Sequence, residues 1–193
     1  MRTATVSRKT RETDINLTLN LDGTGKAEIN TGIGFFDHML TALTVHGGFD
    51  LSLSCKGDLY VDGHHTVEDV GIVLGKAFAE ILGERKGIVR YGNAQIPMDE
   101  AIGWCCLDIS GRAFLVYEVD FFIEKIGDYD ACLTEEFMRA FAFNAGITLH
   151  IKSPYGNNDH HKCEAMFKAL AYALKQAVAL SGTASAISTK GVL

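Results

Sequence analysis

A chain of 193 residues with 47% apolar and 22% charged residues and only two prolines can bury a substantial core and is neither disordered nor fibrous. Its net charge of −6 argues against a nucleic-acid binder held by overall attraction. No apolar run is long enough to span a bilayer.

The opening MRTATVSRKTRET has no apolar core, so no secretory signal is expected and a cytoplasmic protein follows. The five cysteines (Cys55, Cys105, Cys106, Cys132 and Cys163) have an odd count and no framework spacing, which predicts free thiols in a reducing compartment. Cys105 and Cys106 are adjacent and should point to opposite faces of one strand. GTGK at Gly23 reads as a hairpin turn, and SGR at Ser110 as another. GFFDHMLTALTVHG carries a helical apolar pattern that stops at Gly48, and FDLSLSC then alternates as a strand. A helix is predicted from about Val67 to Leu82, just after a pair of histidines. Further on, EEFMRAFAFNA ends at Gly146, ITLHI reads as strand, and a last helix runs from about Cys163 to Leu180.

This order of elements is written twice. LDGTGKA from Leu21 aligns without gaps to LDISGRA from Leu107, an offset of 86, and His64 answers His160 at an offset of 96. About ten residues must therefore be inserted between these anchors in the second half. The pattern predicts an α+β fold of internally duplicated halves, residues 1–94 and 95–193. Each half should be a mostly antiparallel sheet with helices on one face, the helix layers packed together in one compact unit.

The motif that repeats is His-His-x-x-Glu: His64, His65 and Glu68, then His160, His161 and Glu164. Residues four apart share a helix face and residues three apart nearly do, whereas neighbours diverge by about 100°. Each pair of histidines can therefore reach two different ions. Imidazole and carboxylate donors without thiolate suit Mn, Fe, Ni or Zn. His38 and His150 lie in matched helix–strand regions and are candidates to complete the coordination, while His46 has no such context. There is no P-loop, dinucleotide fingerprint or nucleophile elbow. Arg90, Arg112, Lys168 and Lys190 are basic residues suited to holding a phosphate. A two-metal phosphoester hydrolase would use similar residue types, but the bridging aspartates of such sites have no obvious motif here. A non-catalytic assembly stapled by histidines is the third reading.

RKTRET, GIGFFDHML, DGHHTVEDVGIVLG, FAFNAGITLHI, HHKCEAMFKALAYAL and STKGVL together resemble the imidazoleglycerol-phosphate dehydratases of histidine biosynthesis, nearly end to end. The resemblance implies a lyase with two Mn²⁺ per active site, in a 24-subunit homo-oligomer whose sites lie between subunits. It implies His38, His64, His65, Glu68, His150, His160, His161 and Glu164 as ligands. One grouping sets His64, Glu68, His160 and a neighbour's His150 at one ion, and His38, His65, His161 and Glu164 at the other. Phosphate would fall to Arg90, Arg112, Lys168, Ser188 and Lys190. Glu12 would be the acid–base residue, with Glu68 and Glu164 as further catalytic carboxylates. The implied reaction passes through an imidazolate on the metal and a diazafulvene to the ketone.

Overall fold

A computed structural model of the chain describes residues 2–183 and 185–188. The first half runs β1 (Thr3–Lys9), β2 (Thr13–Asn20), β3 (Ala27–Asn30), α1 (Gly34–Gly47), β4 (Asp50–Gly57) and α2 (His64–Leu82). The second runs β5 (Tyr91–Met98), β6 (Ala101–Asp108), β7 (Phe114–Glu118), a short hairpin of β8 (Lys125–Ile126) and β9 (Tyr129–Asp130), α3 (Leu133–Ala145), β10 (Thr148–Lys152) and α4 (Asp159–Val178). The expected division between 94 and 95 falls inside β5; the halves are joined by residues 83–90.

The two main sheets have matching orders, β1-β2-β4-β3 and β5-β6-β10-β7. Three strands of each are antiparallel, and the fourth, β3 or β7, pairs in parallel with β4 or β10. The Gly-containing turns are therefore not the hairpins expected. β2 is already flanked by β1 and β4, so the chain after it must pass to the far side of β4 and return through α1. Gly25 and Gly111, at φ +91° and +76°, make the same left-handed turn at the two departures. The expected insertion lies between β7 and α3: residues 119–132 stand where the first half has only 31–33.

Alternation along the strands sends Ile15, Leu17, Leu19, Leu51, Leu53, Cys105 and Leu107 inward onto the helices. α2 lies along α3 and α1 along α4, so helices of opposite halves meet in one shared core. Phe36, Phe137, Phe141, Phe78 and Phe167 are fully buried there, and Phe137 stacks on both Phe141 and Phe167. Each such ring contributes about 1.5–3 kcal/mol by leaving water. Close approach is written into α2: a Cβ at Gly71 would come within 2.9 Å of the Phe137 carbonyl, and one at Gly75 within 2.7 Å of that of Phe141.

Both motif helices begin earlier than their apolar patterns. The Asp62 carboxylate accepts the His64 N–H at 2.8 Å, and the Asn158 side chain caps α4 by accepting that of His160 at 3.0 Å. The histidine pairs thus occupy first turns, where polar side chains hide the periodicity. Cys55, Cys105 and Cys163 are buried, Cys106 and Cys132 are exposed, and all five are free thiols. Burial pushes Cys55 up to about 11 and Cys163 up to about 12, which leaves them unreactive. Among the described residues no helix is long and apolar enough to cross a membrane.

Candidate active site

α1 and α4 meet near their N-termini, and there His38 comes together with His160 and Glu164. Glu164 Oε2 lies 3.4 Å from His38 Nε2 and 3.2 Å from His160 Nε2. One donor atom from each residue lies within 4.8 Å of the others, and among the described residues no other three such groups converge this way. The other oxygen, Oε1, accepts from Lys168 Nζ at 2.6 Å, one turn further along α4. Burial alone would raise the Glu164 carboxyl, but the Lys168 hydrogen bond and charge, with His38 and His160, bring it below the ordinary carboxylate value. Two imidazoles and one ionised carboxylate, with one oxygen turned toward both rings, are a donor set that fits a divalent first-row metal. Lys168 is therefore committed within the chain to Glu164.

The expected grouping set His38 and Glu164 with His161. Within one chain they meet His160 instead. His160 is four residues before Glu164 and shares its face, whereas His161 turns away by about 100°. His161 Nδ1 points to Glu100 Oε2 at 2.8 Å, and Asp99 lies 3.8 Å from its Nε2. Glu100 is held down to about 2 by that hydrogen bond and by backbone N–H groups, including those of Asn157 and Asn158.

The first-half motif is built alike on one side only. His64 and Glu68 stand 3.8 Å apart, both half-exposed, on the open side of the first turns of α2. His65 Nδ1 faces the Asp58 carboxylate at 3.1 Å, and Glu12 lies 3.7 Å from its Nε2. Asp58, then burial working against it, then Glu12 and Asp62 set the His65 pKa, which is raised. Glu12 is carried by the β1–β2 loop, where the Thr10 hydroxyl accepts the Glu12 and Thr13 N–H groups, and Thr13 donates to Asp69 of α2. Glu12 and Glu100 thus occupy equivalent hairpin tips, each beside the second histidine of a pair. Sequence reasoning missed Asp58, Asp99 and Glu100. The signal was present in MDEA, which closes β5–β6 as RETD closes β1–β2.

The remaining candidates lie elsewhere on the chain. His150 is on the exposed outer face of its sheet, opposite Cys106. Arg90 is buried and grips Asp108 through two nitrogens at 2.7 and 3.0 Å; its guanidinium also donates to the Ile187 carbonyl. Arg112 lies 3.9 Å from the same carboxylate. Ser188 follows directly, and Lys190 lies outside the described residues. This basic group sits at the Tyr91 end of β5, whereas Lys168 reaches Met98 at the other end. At about 3.3 Å per residue the strand separates them by roughly 25 Å, too far for one small ligand to touch both within a chain.

Residues 31–174 match the family described as imidazoleglycerol-phosphate dehydratase. An imidazoleglycerol-phosphate dehydratase of Methanosarcina barkeri is 56% identical over 193 residues, covering 100% of both chains. The crystal structure of the Staphylococcus aureus imidazoleglycerol-phosphate dehydratase superposes with a TM-score of 0.84 at 40% identity, over 93% of this chain and 99% of that one. The structure of IGPD from Pyrococcus furiosus in complex with (S)-C348 gives 0.82 at 38% identity, over 97% and 100%. The duplicated fold, the paired motifs and these likenesses agree: the chain belongs to the imidazoleglycerol-phosphate dehydratase family.

Proposed function

We propose that this chain is a metal-dependent hydro-lyase that converts imidazole glycerol phosphate to imidazole acetol phosphate in histidine biosynthesis, in the cytoplasm. The observation that carries the metal reading is the convergence of His38, His160 and Glu164 from opposite halves to within 4.8 Å. His38, His160 and Glu164 would hold one Mn²⁺. His64 and Glu68 begin a second donor set, to be completed by His65, His150 or His161 of neighbouring subunits.

The substrate loses a hydroxyl from the carbon attached to the imidazole and a proton from the next carbon, and the resulting enol becomes the ketone. Mn²⁺ held by these residues would supply Lewis acidity at the imidazole end of the substrate. Glu12 suits the proton transfer: its side chain is exposed at a loop pinned by Thr10 and by Thr13–Asp69, beside the histidines rather than among them. Arg90 and Arg112, pre-oriented by Asp108, would hold the phosphate with Ser188 and Lys190. Lys168 keeps Glu164 ionised and turned toward the two imidazoles.

The 25 Å gap between basic and histidine groups, and the outward position of His150, support sites shared between subunits of a large homo-oligomer such as a 24-subunit shell. Exposed apolar side chains beside the motif helices, Tyr60 at 91% and Phe122 at 70%, support burial by a neighbour. The test is chelation followed by metal return, with particle mass measured alongside. Ketone formation should vanish and come back with Mn²⁺. A folded, Mn²⁺-loaded protein that forms no ketone sinks the reading.

A further inference from the structure

α1 opens without a cap of its own. Its N-cap is Ile33, which has no side-chain oxygen to offer, so the first N–H groups of the helix need an acceptor from elsewhere. That acceptor is Asp128, at the Gly127–Asp128 tip of the β8–β9 hairpin, ninety-four residues downstream of Gly34 in the other half. Its carboxylate accepts from Gly34 N at 2.8 Å and Phe35 N at 3.2 Å. Tyr129, next in the chain and fully buried, stacks on Phe36 with centroids 5.9 Å apart and tilts against Phe35 at 5.5 Å. Phe35 in turn lies edge-on to the rings of His160 at 5.0 Å and His38 at 6.3 Å.

The same excursion is anchored at its other end to α4. The Asp159 carboxylate accepts the Phe122 and Ile123 N–H groups at 2.6 and 2.8 Å. Lys162 donates to the Asp120 carbonyl at 2.6 Å and pairs with Asp159 at 2.7 Å, and both side chains are almost wholly buried. Residues 119–132 therefore grip the first turn of α4 with one end and the first turn of α1 with the other. The first half, with only residues 31–33 at this place, has no such device.

We propose that the 119–132 excursion is a splint that fixes the first turns of α1 and α4 against each other, with Asp128 as the residue that positions His38 beside His160 and Glu164. The inference rests on the reading of those three residues as metal ligands. It assigns to the asymmetric insertion the job of holding the one donor set that is drawn from both halves. Asp128 is not one of the three donors; its carboxylate meets the Gly34 and Phe35 N–H groups and acts through α1.

The test uses the full chain with Asp128→Ala, Asp128→Asn and, as a control, Asp50→Ala. Asp128 does not have a positive φ, so alanine fits its backbone. Asp50 likewise accepts two backbone N–H groups, from Thr24 and Lys26, but none from α1. Mn²⁺ is titrated and free ion followed by electron paramagnetic resonance. Asp128→Ala should weaken binding at one site per chain on the order of tenfold, as loss of an outer supporting residue does. It should raise the Mn²⁺ needed for half-maximal turnover equally, with kcat recovered at saturating metal. Asp128→Asn, which keeps an acceptor, should recover most of the affinity, and Asp50→Ala should match wild type. Unchanged affinity in Asp128→Ala, or an equal loss in Asp50→Ala, overturns the proposal. If wild-type protein binds no Mn²⁺, the metal reading has failed, and amide exchange decides the splint. Asp128→Ala must then speed exchange in the first turns of both α1 and α4; a response confined to the hairpin overturns it.

Discussion

The two halves carry the same motif on the same fold, yet among the described residues only the second-half motif meets a third donor inside the chain. His160 and Glu164 of α4 meet His38 from α1, whereas His64 and Glu68 of α2 stand 3.8 Å apart on a half-exposed surface. The position that answers His38 in α3, ten residues before the C-cap glycine in each case, is Glu136. Glu136 lies 3.7 Å from Arg139 on its own helix. The second histidines differ less, since His65 and His161 are each held by acidic residues from a loop or hairpin. Duplication has therefore kept the orienting acids and let the inner site become lopsided.

The largest expected contrast comes from Glu164→Ala against Glu68→Ala. The first should remove one bound Mn²⁺ from the isolated subunit and lower turnover by roughly 10³-fold, the several kcal/mol a Lewis acid supplies. The second should cost metal only in the assembled particle. Metal analysis at different particle sizes would check this, and equal losses in both would erase the distinction. Next come the paired hairpin acids. Glu12→Gln should cut kcat on the order of 10²-fold or more as a proton carrier, with Mn²⁺ content unchanged. Glu100→Gln should instead weaken metal affinity by roughly tenfold through His161.

A stability difference follows. Lys162→Met leaves Asp159 buried without its ion-pair partner and should cost about 3 kcal/mol in denaturant unfolding. Its first-half counterpart, Thr66, has no such pair, so Thr66→Ala should cost much less. The smallest effect concerns acid. Burial raises the Asp128 carboxyl, but the Gly34 and Phe35 N–H groups outweigh it and leave it below the ordinary 3.8. A depressed carboxyl contributes stability above its unfolded value, lost as pH falls through the folded one. The stability advantage of wild type over Asp128→Asn, which keeps the acceptor and loses only the charge, should therefore be present at neutral pH, about 0.5 kcal/mol as for a charge at a helix N-terminus, and fade as pH falls below 3.8. A gap that widened in acid would contradict the capping role.

Much of this was legible in the residues because the signals are local. Gly48 and Gly146 stop α1 and α3 where expected, both in the left-handed region, and the spacing of His160 and Glu164 alone puts them on one face. What local pattern does not encode is which distant groups arrive. The side of β4 taken by β3 depends on β2 having both neighbours already. His38 could be matched to His160 only through the crossing of α1 with α4, and Asp128 only through a hairpin ninety-four residues away. Asp58 and Glu100 were hidden for a different reason: each is an ordinary loop acid until the fold sets it beside a histidine.

The bare backbone contact between α4 and its sheet reaches further than packing. A methyl group at Gly92 or Gly103 would collide with the carbonyls of Ala173 or Ala165, so helix and hairpin touch with nothing compressible between them. The tip bearing Glu100 and the tip bearing His161 are then opposite prongs of a single stiff fork. Any shift of α4 must then carry the hairpin with it, so the Glu100 carboxylate and the His161 ring it faces travel together rather than part.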